Sequence, residues 1–184
     1  LITNGADVNI SGNDYGWTPL GSAAQNGHRD IVELLITNGA KLDTPMGYKG
    51  WPPLLFAAIN GHKDVVELLI AKGANINAKD KRGEPMLEEV IDYQKIETAV
   101  LLVQKGAADE AKDQFLRQAV DDLPFHEYHP ELIKALVARG ANVSHENRYG
   151  ETILHEVARG TRHGKELTQT LIELGANVNL KDKN

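Results

Sequence analysis

The segment from Asn13 to Thr44, NDYGWTPLGSAAQNGHRDIVELLITNGAKLDT, decides the fold. Thr18 followed by Pro19 is typical of a helix start, because threonine caps free amide groups and proline is tolerated at the first helical position. Gly27 predicts the end of that helix, since glycine adopts positive φ without strain. We expect Asp30 to cap a second helix, which carries an apolar face at helical spacing. The segment therefore predicts helix, turn, helix and a hairpin-like loop.

This unit is repeated along the chain. A Gly-Ala pair recurs six times, at intervals of 33 to 35 residues. The pairs are Gly5-Ala6, Gly39-Ala40, Gly73-Ala74, Gly106-Ala107, Gly140-Ala141 and Gly175-Ala176. A chain with this period is built from one small unit stacked on copies of itself. Such an array favours a binding scaffold over an enzyme, because it offers a long surface and no single enclosed pocket.

The repeated segments resemble the ankyrin repeat. The resemblance rests on Gly16-Trp17-Thr18-Pro19-Leu20, Asn26-Gly27-His28, Ile31-Val32-Glu33-Leu34-Leu35 and Gly39-Ala40, and on their recurrence. It implies a mainly α fold, an ankyrin-repeat solenoid of helix-turn-helix units joined by β-hairpin-like loops. It also implies that Thr152 and His155 form a hydrogen-bonded pair, and that His28 and His62 are structural.

The Gly-Ala pairs divide residues 1–184 into one predicted array. We expect a partial repeat over 1–12, repeats over 13–46 and 47–79, a divergent repeat over 80–107, an irregular repeat over 108–144 and a last repeat over 145–184. Pro124 and Pro130 exclude a regular helix between them, so the irregular repeat should contain a long inter-helix loop after a shortened or lost hairpin. Residues 1–9 are similar to the end of a further repeat, so we expect additional chain on at least one side.

In the ankyrin family, partners usually bind a concave groove lined by the hairpin tips and the first helices. The resemblance therefore implies a partner-binding set rich in the aromatic and arginine residues that dominate interface hot spots. The set is Tyr15, Trp17, Tyr48, Lys49, Trp51, Ile59, Lys81, Arg82, Tyr93, Arg148 and Tyr149. The alternative is that the aromatic rings pack within and between hairpins. For Trp17 and Trp51 we favour binding, since a hairpin tip offers little core.

The predicted function is a non-enzymatic protein–protein interaction module that needs no cofactor and acts as a monomer. One alternative is a metal or small-ligand site around His126 and His129, in the loop of the irregular repeat. Their His-x-x-His spacing lacks the helical His-Glu-x-x-His pattern, so we assign no metal ligand. Another alternative is a targeting arm of a larger multidomain protein.

Composition excludes several other classes of function. The 184 residues carry a net charge of −6 with the signs well mixed, which argues against nucleic-acid binding. No apolar run is long enough for membrane insertion. The chain has no cysteine, so disulfides and thiolate metal sites are excluded. This composition fits a reducing compartment, and we expect an intracellular, cytoplasmic location.

Overall fold

The computed structural model describes residues 7–12, 14–107, 111–121, 128–160 and 163–181, which form ten α-helices and no strand. The helices are α1 (Pro19–Gln25), α2 (Arg29–Thr37), α3 (Pro53–Ile59), α4 (Lys63–Ala71), α5 (Met86–Asp92), α6 (Ile96–Gln104), α7 (Lys112–Asp121), α8 (Pro130–Ala138), α9 (Ile153–Ala158) and α10 (Gly164–Glu173). The chain divides into two compact units, Leu1–Ala107 and Ala108–Asn184. That division falls at the predicted boundary between the divergent and irregular repeats. None of the described helices has the length and apolar character that a membrane crossing requires.

Unit 1 is a stack of three helix pairs. Within the pairs, α1 contacts α2, α3 contacts α4 and α5 contacts α6; between them, α1 contacts α3, α3 contacts α5 and α2 contacts α4. The first helices approach closely because small residues face their neighbours: Ala24, Ala57 and Ala58 are fully buried. The repeated helix-turn-helix units predicted from the sequence are confirmed.

Unit 2 contains two helix pairs, α7 with α8 and α9 with α10, and α7 also contacts α9. The apolar stripes predicted for the irregular repeat are buried, among them Phe115, Leu116, Leu132 and Ile133. Residues 105–111 separate α6 from α7, against 38–52 and 72–85 between the earlier helix pairs, and residues 108–110 lie outside the described part of the chain. Most of the predicted long inter-helix loop, residues 122–127, lies outside the described part of the chain.

Three interactions were predicted at helix starts, and two of them, at the starts of α1 and α9, are present. Thr18 Oγ1 accepts a hydrogen bond from the Gly21 amide at 3.1 Å, at the start of α1. At the start of α9, the Thr152 amide donates to His155 Nδ1 at 3.1 Å, as the resemblance implied. The predicted cap at Asp30 is wrong, because α2 begins at Arg29 and the cap position is occupied by His28, two residues earlier. Asp30 instead lies in the first turn, where its negative charge is favourable to the helix dipole.

The turns between paired helices need a residue with positive φ. Gly27 and Gly61 supply it in the first two pairs, with φ of 71° and 77°. Gln94 takes the same place in the third pair at φ 55°, the one non-glycine residue with positive φ in the described ranges. That conformation costs a side-chain-bearing residue about 1–2 kcal/mol. The third turn is therefore strained relative to the other two.

The loops between repeats are hairpin-like, as predicted. Two of them are closed by single antiparallel bridges, Met46 with Trp51 and Lys79 with Pro85. Neighbouring loops are also joined to one another. The Gly47 amide donates to the Tyr15 carbonyl at 2.7 Å. The Lys81 amide donates to the Lys49 carbonyl at 3.0 Å, and this second bond repeats the first because its donor and its acceptor each lie 34 residues later in the chain. The three hairpins of unit 1 therefore form one hydrogen-bonded row.

Candidate functional site

The hairpins of unit 1 line a partly open cleft of about 700 Å³. Its lining residues, which we call the hairpin cleft, are Asp14, Tyr15, Gly16, Pro45, Gly47, Tyr48, Lys49, Asp80, Lys81 and Arg82. All three hairpins of the hydrogen-bonded row contribute residues to it. Five members of the predicted partner-binding set lie here: Tyr15, Tyr48, Lys49, Lys81 and Arg82.

Two tyrosine rings stand out of the surface at this cleft. Tyr15 is 58% exposed and Tyr48 is 83% exposed. An exposed tyrosine offers a large, rigid, amphipathic surface at a low cost in side-chain entropy. The two rings therefore supply accessible aromatic area that the core of unit 1 does not use.

Lys81 is held in place by its neighbours. A Cβ added at Gly50, where φ is 75°, would lie 2.9 Å from Lys81 Cγ, so the lysine stem occupies the space that glycine leaves open. The Lys81 ammonium donates to the Tyr48 carbonyl at 3.3 Å. Lys81 forms no ion pair with any described residue. Its charge is thus positioned at the cleft without being neutralised there.

Lys49 is neutralised by a carboxylate. Its ammonium lies 2.7 Å from Glu89 Oε1 and 4.7 Å from the centroid of the Trp51 ring. The hydrogen bond to Glu89 raises the pKa of Lys49 above its usual value, against the opposing effect of burial. Lys49 therefore stays charged, and its charge is already paired.

Asp80 is bound by the main chain of its own hairpin. Its Oδ1 accepts hydrogen bonds from the amides of Arg82 at 2.7 Å and Glu84 at 3.0 Å. Burial acts to raise the pKa of Asp80, but these two amides and the charges of Arg82 and Lys49 hold it below its usual value. The Arg82 guanidinium makes no ion pair within the described ranges. Asp80 thus shapes the third hairpin while Arg82 extends from it.

A cluster of four aromatic rings, Trp17, Phe56, Trp51 and Tyr93, lies in the same unit. The ring centroids are 4.6 Å apart for Trp17 and Phe56, 5.7 Å for Trp51 and Phe56, and 6.1 Å for Trp51 and Tyr93. The two members in the middle, Phe56 and Trp51, are 7% and 8% exposed, whereas Tyr93 is 50% exposed. This aromatic cluster presents only its end members, the half-buried Trp17 and the exposed Tyr93, to a partner.

The structure corrects the argument made for Trp51. A hairpin tip was expected to offer little core, but Phe56 and Tyr93 enclose the Trp51 ring, and its Nε1 is buried without a hydrogen-bond partner in the described part of the chain. Ile59 is also buried, at 7% exposure. Both residues leave little surface for a partner, and their predicted role at an interface is untested.

Trp17 also borders a second cleft, of about 460 Å³, on the first helix of unit 1. The other residues of this cleft are Ile10, Gly12, Thr18, Pro19, Ser22 and Gln25. One side of the Trp17 ring contacts Phe56, and its accessible part belongs to this cleft. Trp17 therefore has both a packing role and an exposed edge.

Sequence reasoning missed Phe56, and it placed Glu89 on the charged face of the third repeat without its pairing to Lys49. Phe56 follows Ser22 by 34 residues and Glu89 follows Phe56 by 33, the same intervals that separate Gly16, Gly50 and Gly83. Ser22 is exposed on α1, so this repeat position faces outward from the first helices. Aligning the repeats on their hairpin glycines would have placed Phe56 beside the tryptophans and Glu89 near Lys49.

In unit 2 the corresponding hairpin is held by charged residues. Arg117 on α7 donates to the carbonyl of His145 at 2.7 Å and to that of Glu151 at 3.3 Å, and its guanidinium pairs with Glu156. Glu151, only 8% exposed, pairs in turn with Arg159. Sequence reasoning missed Arg117, because nothing in the repeat pattern marks it.

The predicted residues Arg148 and Tyr149 lie on this hairpin of unit 2. Tyr149 is 50% exposed, and the Arg148 guanidinium lies 4.7 Å from the centroid of its ring. The pair satisfies itself through a cation–π contact. It forms a separate, smaller exposed feature of unit 2.

The alternative metal or ligand site falls largely outside the described residues, since His126 lies there. His129 is half-buried at the cap position of α8. Within the described ranges, no group of three or more histidine, aspartate or glutamate side chains is close enough to hold a metal ion. No observation favours this alternative.

The fold and the hairpin row define a helical repeat protein with short paired helices. Comparison with family profiles gives matches to ankyrin repeats (3 copies) over residues 1–80 and 42–113 and to the ankyrin repeat over residues 149–183. The chain belongs to the ankyrin repeat family. No curated protein matches it. Ankyrin repeats are in general modules for protein–protein interaction.

Proposed function

We propose that this chain is a non-enzymatic module that binds a protein partner at the hairpin cleft of unit 1. The observation that carries the proposal is the presence of two exposed tyrosine rings, Tyr15 and Tyr48, beside Lys81 and Arg82 in one cleft. Tyrosine and arginine are enriched among the residues that dominate binding energy at interfaces. The monomeric state and the intracellular location stay predictions from the sequence.

The chemistry of the cleft supports a macromolecular partner over a substrate. Pockets for small molecules are mostly apolar and enclose most of the ligand. The hairpin cleft is partly open to solvent, so it would leave much of a small ligand exposed, and the described residues that line it include no histidine, serine or threonine. Its one main-chain-bound carboxylate, Asp80, already accepts two amide hydrogen bonds. The cleft therefore presents groups suited to recognition, without a nucleophile and base arranged for catalysis.

Affinity purification followed by mass spectrometry tests the proposal. The bait chain is compared with a Tyr15→Ala/Tyr48→Ala variant and with a matched control, Tyr149→Ala, which removes an exposed tyrosine in unit 2. Each anchor is expected to contribute about 2 kcal/mol, roughly 30-fold in affinity. The double variant should lose the partner and keep its melting temperature, because both rings are exposed. Retention of the same partner by the double variant, with loss in the control, would place the interface in unit 2.

A further inference from the structure

We infer that the partner segment bound in the hairpin cleft is an extended acidic peptide, whose carboxylates pair with Lys81 and Arg82. The rings of Tyr15 and Tyr48 then pack against its neighbouring side chains. This inference rests on the proposed function and specifies the chemistry of the partner.

The charge of the cleft differs from that of the whole chain. The protein has a net charge of −6, yet the lining of the cleft contains three cations, Lys49, Lys81 and Arg82, against two carboxylates, Asp14 and Asp80. Because Lys49 is paired with Glu89, the other charges of the lining balance, and it is the adjacent placement of Lys81 and Arg82 that favours a negatively charged ligand.

The partners already present decide which charges are available. Lys49 is paired with Glu89, and Asp80 accepts hydrogen bonds from two main-chain amides. Lys81 and Arg82 make no ion pair with any residue that the structure describes. The third hairpin therefore offers two adjacent cations beside the ionised Asp80, whose Oδ1 is held by main-chain amides, and Asp14 lies on the first hairpin.

Both cations are anchored at their main chain. The Lys81 amide donates to the Lys49 carbonyl, and the Arg82 amide donates to Asp80. The Lys81 stem also lies over Gly50, which restricts the side chain further. Binding therefore orders less of the protein than it would on a flexible loop, which lowers the entropic cost. A lysine point charge beside the planar fork of arginine suits two successive carboxylates.

Selection from a random-peptide display library tests the inference, because it needs no known partner. The wild type is compared with Lys81→Glu/Arg82→Glu and with a control, Lys41→Glu/Lys72→Glu, which makes the same change in net charge at exposed lysines outside the cleft. Circular dichroism verifies that each variant is folded. Wild type and control should both enrich peptides rich in aspartate and glutamate, and the charge-reversed variant should not.

The strongest selected peptide is then synthesised and its affinity is measured by fluorescence polarisation. Binding should fall at least about tenfold on charge reversal and should weaken with added salt. A Lys81→Gln/Arg82→Gln variant should give an intermediate loss. Should the charge-reversed variant be unfolded, this neutral variant replaces it.

The outcomes separate the inference from the proposed function. If the selected peptides have no excess of acidic residues, yet their binding is lost with Tyr48→Ala, the cleft binds peptide and the acidic chemistry is wrong. If binding survives both Tyr48→Ala and charge reversal, the inference and the proposed function both fail. Failure to select any peptide, or equal binding of an acidic peptide to the wild type and the charge-reversed variant, also overturns the inference.

Discussion

Substitution of Trp51 by alanine distinguishes a core residue from an interface residue. The Trp51 ring is 8% exposed and is bordered by Phe56, Tyr93 and the ammonium of Lys49. If this packing stabilises the repeat, Trp51→Ala should destabilise unit 1 even when no partner is present. An interface residue would instead leave the free protein almost unchanged.

The size of the effect follows from these contacts. Truncating a buried tryptophan to alanine costs about 3–5 kcal/mol, a range that includes its lost aromatic contacts. The buried Nε1 of Trp51 has no partner among the described residues, and removing this one unsatisfied donor returns about 1 kcal/mol, the lower end of the range for a buried polar group. We therefore expect a net loss of about 2–4 kcal/mol. Trp51→Phe keeps a ring and removes the unpaired N–H, so it should stay within about 1 kcal/mol of the wild type.

Urea unfolding followed by fluorescence and far-UV circular dichroism measures the change. Both tryptophans lie in unit 1, so in the Trp51 variants the remaining fluorescence of Trp17 reports on that unit alone. The midpoint for Trp51→Ala should fall by roughly 1–2 M urea at an unchanged slope. Trp17→Ala is the matched control, and its half-buried ring should cost less, about 1–2 kcal/mol.

Two results would refute this reasoning. A loss below about 1 kcal/mol for Trp51→Ala would show that the ring adds little to the core, and Trp51 would return to the set of interface residues. A loss for Trp51→Phe as large as that for Trp51→Ala would show that the indole N–H is satisfied in solution.

Three further substitutions test other parts of the structure. Gln94→Gly should stabilise unit 1 by about 0.5–1 kcal/mol in urea unfolding, because relief of the positive-φ strain exceeds the added chain entropy; a destabilised variant would show that the turn is unstrained. Arg117→Met should cost unit 2 about 2–3 kcal/mol, measured by hydrogen exchange, since it removes two carbonyl contacts and the charge opposite Glu156; a loss below about 1 kcal/mol would contradict this. Burial and the nearby carboxylate of Glu84 raise the pKa of Glu88. Because the folded state holds that proton more tightly than the unfolded chain, the free energy of unfolding should fall as the pH rises from the unfolded to the folded pKa of Glu88. Glu88→Gln should be more stable at neutral pH and should lack that decrease, whereas an identical pH profile would count against the raised pKa.

The helices could be predicted because the residues that build them recur. Thr18 caps its helix, Ala24 and Ala58 allow close approach, and glycines such as Gly27 and Gly61 follow helix ends, at positions that return every 33 to 35 residues. The residue type at each such position is set by the local backbone geometry and by contact with the equivalent helix of the next repeat. Sequence alone is sufficient for interactions of this kind.

The packing of the aromatic residues could not be predicted in the same way. Trp51 is buried because the outward-facing position of α3 carries Phe56, where α1 has the small Ser22. Arg117 and Glu156 are 39 residues apart and occupy no shared position of the repeat. These contacts arise where one repeat departs from the others, so the average pattern contains no information about them.

Comparing the repeats at one hairpin glycine separates stabilising positions from recognition positions. Immediately after that glycine stand Trp17, Trp51, Glu84 and Glu151, of which Trp51 and Glu151 are buried, Trp17 is half-buried and Glu84 is exposed. The two positions before the glycine are exposed throughout except at the half-buried Lys49, and they are occupied by Asp14 and Tyr15, Tyr48 and Lys49, Lys81 and Arg82, Arg148 and Tyr149. Exchanges at exposed positions usually change stability by less than about 0.5 kcal/mol. The residue after the glycine is constrained by packing in most hairpins. The two residues before the glycine are free to vary, and we therefore expect them to determine which partner the chain selects.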